Sequence, residues 1–195
     1  DKSYAEAMGY YDAAEWSKAV SAFEAIQGKD STYRQAEVKS KLFDCYLNDG
    51  QQRIATANNS LDIIRAGQSF DNALALSPDN TMAQEEKQLA SLYSDGYTMY
   101  RQGNWRQAIV SLSKIYQLRS DYAEGRLAQL LCESCVNLGD AYRSAGELQL
   151  ALEQYRMVST VSECDPAQAK AKEGEILSVL SSGTATPQPK PSPAP

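Results

Sequence analysis

The chain has 195 residues, with 19 Lys and Arg against 25 Asp and Glu, four cysteines, two tryptophans and no histidine, for a formal charge of -6. Without a run of Lys or Arg it does not read as a nucleic-acid binder, because affinity for the phosphate backbone needs clustered cations. Without imidazole there is no Ser-His-Asp triad, no Cys-His pair and no histidine metal ligand, and no run of about eighteen or more apolar residues is present to span a bilayer.

The chain starts at Asp1-Lys2-Ser3 and passes into Tyr4-Ala5-Glu6-Ala7-Met8 without an initiator Met, a basic n-region or an apolar h-region. It therefore reads as a processed or excised fragment. The apolar periodicity is helical from there on, with no alternating strand pattern and no Asn-Gly hairpin signal. Long helices are predicted near 33–57, 82–102 and 122–145, and shorter ones near 15–27, 62–76, 105–118 and 147–160. A last helix over 167–180 follows Asp165-Pro166. Of seven prolines, Pro78 and Pro166 stand where one helical pattern stops and the next starts, and five fall in the closing segment. Residues 1–180 thus read as one helical domain, and 181–195 as a Pro/Ser/Thr-rich disordered linker or tail.

Four segments share one pattern, in which a turn is followed by a large apolar residue, then Ala three positions on, then another large residue four beyond it. They are Ala14-Glu15-Trp16 with Ala19 and Phe23, Leu61-Asp62-Ile63 with Ala66 and Phe70, Gly103-Asn104-Trp105 with Ala108 and Leu112, and Gly146-Glu147-Leu148 with Ala151 and Tyr155. The alanines are 47, 42 and 43 residues apart, a period in the solenoid range. In each helix a small residue and a larger one four later share a face, so a neighbouring helix can come close at the first and be filled beside at the second. Nine residues before each alanine stand Tyr10, Ala57, Met99 and Tyr142, on the preceding helix and within reach of the same seam. Gly103 and Gly146 suit a tight turn that needs positive φ. The second copy has Asn58-Asn59-Ser60 there instead, and its turn is the least defined.

The best copies are YSDGYTMYRQGNWRQAIVSLSKIYQL, residues 93–118, and NLGDAYRSAGELQLALEQYRMV, residues 137–158. Residues 7–26 and the trio Phe70, Ala73 and Pro78 repeat parts of the same pattern. On these residues the chain resembles the tetratricopeptide repeat family, in a bacterial type with elongated repeats. The resemblance covers roughly residues 4–180. It implies an all-α fold, an alpha-alpha superhelix of antiparallel helix pairs closed by a C-terminal capping helix. First helices longer than the family's norm should pack beside the next unit through their extra turns.

The family presents its first helices along a concave groove that binds a peptide or another protein. Carried over position by position, the resemblance implies a groove formed by Tyr4, Met8 and Tyr11, by Tyr93, Tyr97, Tyr100 and Arg101, and by Val136, Asp140 and Arg143. Twelve tyrosines against three Phe and two Trp make this a surface of rigid apolar area with hydrogen-bonding tips, although Tyr4, Tyr10 and Tyr142 also fit ordinary inter-helix packing. Tyr93, Tyr97 and Tyr100 share one helical face and are expected to form an exposed strip. Family members that clamp a chaperone's terminal carboxylate use Lys, Asn and Arg where this chain has Tyr4, Met8, Tyr93, Tyr97, Val136 and Asp140. That binding mode is not expected.

Cys132 and Cys135 form CESC in the middle of a helical run, with no strand before it and no second close pair. Packed thiols are the first expectation, with a disulfide involving Cys164 or a metal site recruiting Cys45 or Cys164 as alternatives. Acidic pairs such as Glu85 with Glu86, and Glu173 with Glu175, read as solvated faces rather than catalytic carboxylates. The expected function is a non-enzymatic interaction module or scaffold without cofactor or metal, holding a protein or peptide partner. Self-association through the convex face or the solenoid ends is the alternative, and an enzyme working by carboxylates or thiols alone comes third. The Ser/Thr/Pro-rich end favours an extracytoplasmic or cell-envelope location over a cytoplasmic one.

Overall fold

The computed structural model describes residues 2–183. Most of the expected tail, residues 184–195, lies outside the described residues, and 181–183 complete the last helix. Among the described residues the structure is helical, with no strand. In chain order the α-helices are α1 (Lys2–Asp12), α2 (Trp16–Lys29), α3 (Gln35–Thr56), α4 (Ser60–Leu76), α5 (Thr81–Arg101), α6 (Trp105–Leu118), α7 (Arg126–Ser144), α8 (Leu148–Val158) and α9 (Ala167–Gly183). A short turn, Tyr122–Gly125, lies between α6 and α7, with positive φ at Ala123, Glu124 and Gly125. The helices form two compact units, one up to Leu127 and one from Ala128 on.

In the first unit each helix packs mainly on the next, from α1 through α6. The even-numbered helices bury one stripe in a common register: Ala19, Phe23 and Ile26 in α2, Ala66, Phe70 and Ala73 in α4, and Ala108, Leu112 and Ile115 in α6. In the second unit α8 does the same with Ala151, Tyr155 and Val158. Positions i, i+4 and i+7 lie within one side of an α-helix, so this spacing yields a continuous apolar seam.

In three of the four stripes the large residue is received by a missing side chain on the helix before it. A Cβ built on Gly50 would lie 2.4 Å from Phe70 Cε1, one on Gly96 would lie 2.7 Å from Leu112 Cδ2, and one on Gly139 would lie 2.5 Å from Tyr155 Cε1. Gly96 and Gly139 stand twelve residues before Ala108 and Ala151, and Ala7, fully buried, stands twelve before Ala19. Gly50 stands sixteen before Ala66, because the second hairpin carries one additional helical turn between its seam positions. That insertion also accounts for the longest of the three alanine spacings.

Two kinds of turn repeat with the seam. Ala14, Gly103 and Gly146 have φ of 54°, 75° and 80°. The residue after each donates its N–H to the carbonyl five back, Glu15 to Tyr10, Asn104 to Met99 and Glu147 to Tyr142, each at 2.9 Å. Ala14, Gly103 and Gly146 themselves donate to Tyr11, Tyr100 and Arg143 at 3.0 Å. This is a Schellman closure that satisfies the last carbonyls of the first helix and starts the second. The other turn follows α2, α4 and α6, where extended Asp30, Ser77 and Arg119 each accept from the N–H three residues on, at 3.2 Å. The Asn58-Asn59-Ser60 turn is built differently. Asn59 accepts from the Asp62 N–H at 3.1 Å while Asp62 accepts from the Asn58 N–H at 3.0 Å, a reciprocal cap that needs no positive φ.

Two buried carboxylates tie neighbouring hairpins of the first unit together. Asp49 of α3, 4% exposed, accepts from Arg53 Nε and from Ser69 Oγ of α4, each at 2.6 Å, and from Ser17 Oγ of α2. Burial opposes its charge, but these donors outweigh that cost and hold its carboxyl below the usual range. Glu86 of α5 accepts from Gln51 of α3 at 2.8 Å and from Arg119 at 2.7 Å. A buried carboxylate persists only with such partners.

Candidate interaction surfaces

The structure disperses the tyrosines of the expected groove into packing, ring by ring. Tyr4 meets Phe23 edge-on at 5.9 Å and Tyr33 at 6.4 Å, carries the Arg34 guanidinium 4.5 Å from its ring centroid, and donates its hydroxyl to Glu37. Met8 is half-buried against the core of α1, α2 and α3. Tyr11 packs edge-on to Trp16 at 5.6 Å and donates to Asp44 at 3.1 Å. Tyr100 repeats that arrangement with Trp105 at 5.4 Å, so a Tyr-Trp pair braces two of the three Schellman turns.

Tyr93 does not belong to an exposed strip. It is 1% exposed, edge-on to Tyr122 at 5.8 Å, and burial pushes its hydroxyl up to about 12. Its helical face is the expected one, but the turn after α6 returns and covers it. Tyr97 remains half-buried and donates to the Asn58 carbonyl at 3.3 Å. With Arg101, Thr98 and Gln102 it faces Asn58, Asn59 and Ser60 across a polar concavity of about 350 Å³. Arg101 is exposed there.

In the second unit two of the three expected groove residues, Val136 and Asp140, line a larger concavity of about 490 Å³, and Arg143 lies outside its lining. One wall is a stripe of α7, with Gln129, Glu133, Val136, Asn137 and Asp140 on successive turns. The other is formed by Glu163, Cys164 and Asp165 ahead of α9, with Gln168 and Ala169 on it. Asp140 accepts from Tyr155 at 2.7 Å and from Lys172. Partial burial works against its charge, but these two donors prevail and hold its carboxyl below the ordinary range. Arg143 is exposed and paired with Glu175 of α9 at 2.8 Å. These ion pairs, with Arg156 to Glu173 at 2.7 Å, fasten α9 over α7 and α8.

The first expectation, packed thiols, holds for Cys45 and Cys135 and is corrected for Cys132 and Cys164, where the alternative of a disulfide involving Cys164 is the one observed. Cys132 and Cys164 form a disulfide across the floor of this concavity, with Cα atoms 6.6 Å apart. The return of the chain after α8 brings residue 164 over α7, and spacing along the sequence carries no sign of it. Cys45 and Cys135 are free and buried, and burial pushes each thiol up to about 12. A thiol held there is protonated near neutrality and is not a nucleophile.

Among the described residues no group of three or more His, Cys, Asp and Glu side chains could hold a metal ion, and no helix is long and apolar enough to cross a membrane. Buried unpartnered hydroxyls occur at Ser113 and Tyr122. Comparison with protein-family models, curated proteins and solved structures found no match for this chain.

Proposed function

We propose that this chain is a non-enzymatic interaction module of the tetratricopeptide-repeat type, which holds a peptide or protein partner against the faces of its first helices, α1, α3, α5 and α7. The observation that carries this reading is the recurrence of one hairpin. The Schellman closure occurs in three copies, and the small-residue gap facing a large side chain recurs with it. A stack of like hairpins specifies a surface rather than a reaction centre, and buried, protonated Cys45 and Cys135 fit that reading. Tyr97 and Arg101 in the first unit and Val136 and Asp140 in the second are the expected groove positions that border open concavities. The Cys132–Cys164 disulfide supports a location in an oxidising compartment.

Affinity purification with the full chain tests the proposal, repeated with Tyr97→Ser combined with Arg101→Ser. Neither change opens the core, so the variant should keep its helical circular dichroism. Loss of one stoichiometric partner supports the reading, and recovery of the same partner unchanged defeats those positions. A second reading, self-association, is favoured by Leu61 and Ile64 on α4 and Val110 on α6, each about half exposed. Sedimentation over a concentration series decides it: a monomer throughout removes this reading.

A further inference from the structure

The fourth hairpin is the one whose expected partner face is already engaged within the chain. Of its three positions on α7, Asp140 accepts from Lys172 and Arg143 pairs with Glu175, both on α9. Val136, the third, lines the same concavity as Gln168 and Ala169 of α9. The last helix therefore supplies in cis the counter-charges that a partner lying along α7 would have to bring.

By its side-chain contacts α9 is weakly held. Among its described side chains only Ala169 and Ile176 are buried, whereas the shorter α8 buries Ala151, Leu152, Tyr155 and Val158. Its ion pairs, Lys172 with Asp140, Glu173 with Arg156 and Glu175 with Arg143, each have at least one exposed side chain and are screened by solvent. The covalent tie is Cys132–Cys164, which fixes the chain to α7 three residues before α9 starts. Cys164 is partly exposed and both cysteines line the open concavity, so a thiolate can approach the bond. With Gly174 in its middle, a 17-residue helix freed from its neighbours is marginal in water.

We propose that α9 is a redox-latched cover on the partner face of α7, and that reduction of Cys132–Cys164 by a dithiol lets α9 leave and opens Val136, Asp140 and Arg143. A thiolate of the dithiol attacks Cys164 Sγ, the S–S bond breaks, and Cys132 Sγ leaves with the bonding pair and takes up a proton. The second thiolate of the dithiol then displaces Cys164, which is protonated in turn. Two electrons and two protons thus pass to the protein, and the dithiol departs as its own disulfide. Cys135 is a buried thiol before and after and takes no part. The inference rests on the reading of the first-helix faces as the partner surface and adds how one of them is regulated.

Hydrogen–deuterium exchange of the full chain, oxidised and after treatment with dithiothreitol, tests the latch. Cys132→Ser combined with Cys164→Ser gives an unlatched form that needs no reductant. Amides of α9 are expected to exchange at least about tenfold faster in the reduced and double-variant chains, while those of α7 and α8 change by less than about threefold. Trypsin should then cut first at Lys170 and Lys172. Equal protection of α9 in all three forms would overturn the latch, because side-chain contacts alone would then hold the cover. Loss of protection in α7 and α8 together with α9 would overturn it as well, since the bond would then hold the whole unit. Glu173→Gln with Glu175→Gln in the oxidised chain should leave α9 protected, and exposure of α9 with the disulfide intact would assign the tie to the ion pairs instead. Exchange reads the cover without any partner, so the interaction module is judged apart, in the affinity purification. If that recovers no partner in either redox state, the module falls and the latch stands. A partner that protects α7 equally in the oxidised and reduced chains would overturn the regulation and leave the module.

Discussion

Gly50 and Gly67 lie in helices of the same unit, one turned into the seam and one away from it, and replacing each with Ala should move stability in opposite directions. A Cβ at Gly67 meets nothing within 4 Å, so Gly67→Ala keeps only the helix-propensity gain of about 0.8–1 kcal/mol. At Gly50 the same gain is opposed by a Cβ 2.4 Å from a ring carbon of Phe70, whose side chain is 0% exposed and has no free space to swing into. Overpacking of that kind costs about 1–3 kcal/mol, so the net effect runs from near neutral to a loss of about 2 kcal/mol. The two variants should therefore differ by about 1–3 kcal/mol, roughly 4–10 °C in midpoint for a unit of this size. Urea and thermal unfolding followed by circular dichroism measure the difference. Combining Gly50→Ala with Phe70→Leu should recover part of the loss, because the added methyl then occupies volume that the ring gave up. Equal stabilisation by Gly50→Ala and Gly67→Ala would refute the seam.

The other expectations concern turns, buried polar groups and the disulfide. Ala14 occupies with a Cβ the left-handed position that Gly146 occupies without one, so Ala14→Gly should stabilise and Gly146→Ala destabilise, each by about 1 kcal/mol in urea unfolding. Tyr122→Phe removes a buried hydroxyl that has no partner and should be neutral to stabilising by about 1 kcal/mol, whereas Tyr155→Phe, which breaks the bond to Asp140, should destabilise. Asp49 and Asp140 are both held below their ordinary range. Their contribution is thus fully present above the unfolded carboxylate value near 4 and is lost as pH falls through the lowered folded values. The urea midpoint should fall as the pH drops below about 5 and go on falling through the lowered folded values, and less steeply in Asp49→Asn. Reduction opens a loop with a sequence separation of 32 residues and should cost the second unit about 3–4 kcal/mol. Alkylation of unfolded, unreduced protein should label Cys45 and Cys135 alone.

Periodicity made the helices legible, since their stripes of Ala, a large residue four on and an apolar residue three further recur along the chain. The turn at Asn58-Asn59-Ser60 was recognised as different but not for its reason, which lies in side-chain caps on Asp62 rather than in backbone conformation. The receiving glycines left a signal that went unread, a small residue twelve before each seam alanine. The extra turn that sets Gly50 sixteen away hides it in the second copy. Tyr93 shows where a helical face misleads: its spacing from Tyr97 and Tyr100 is right, but whether a face is open depends on Tyr122, which arrives after another whole helix. The Cys132–Cys164 bond stood only as one alternative among others for the same reason. It needs the segment 159–166 to return over α7, and nothing local in residues 132 or 164 encodes that path.

The central claim is that partners are held on the first helices of the hairpins. Hydrogen–deuterium exchange of the full chain, alone and with the protein recovered by affinity purification, tests it most directly. The account expects added protection in α5 around Tyr97–Arg101 or in α7 around Gln129–Asp140, with α4, α6 and α8 unchanged. Protection confined to α4, α6 and α8 around Leu61, Ile64, Val110 and Leu150 would contradict it.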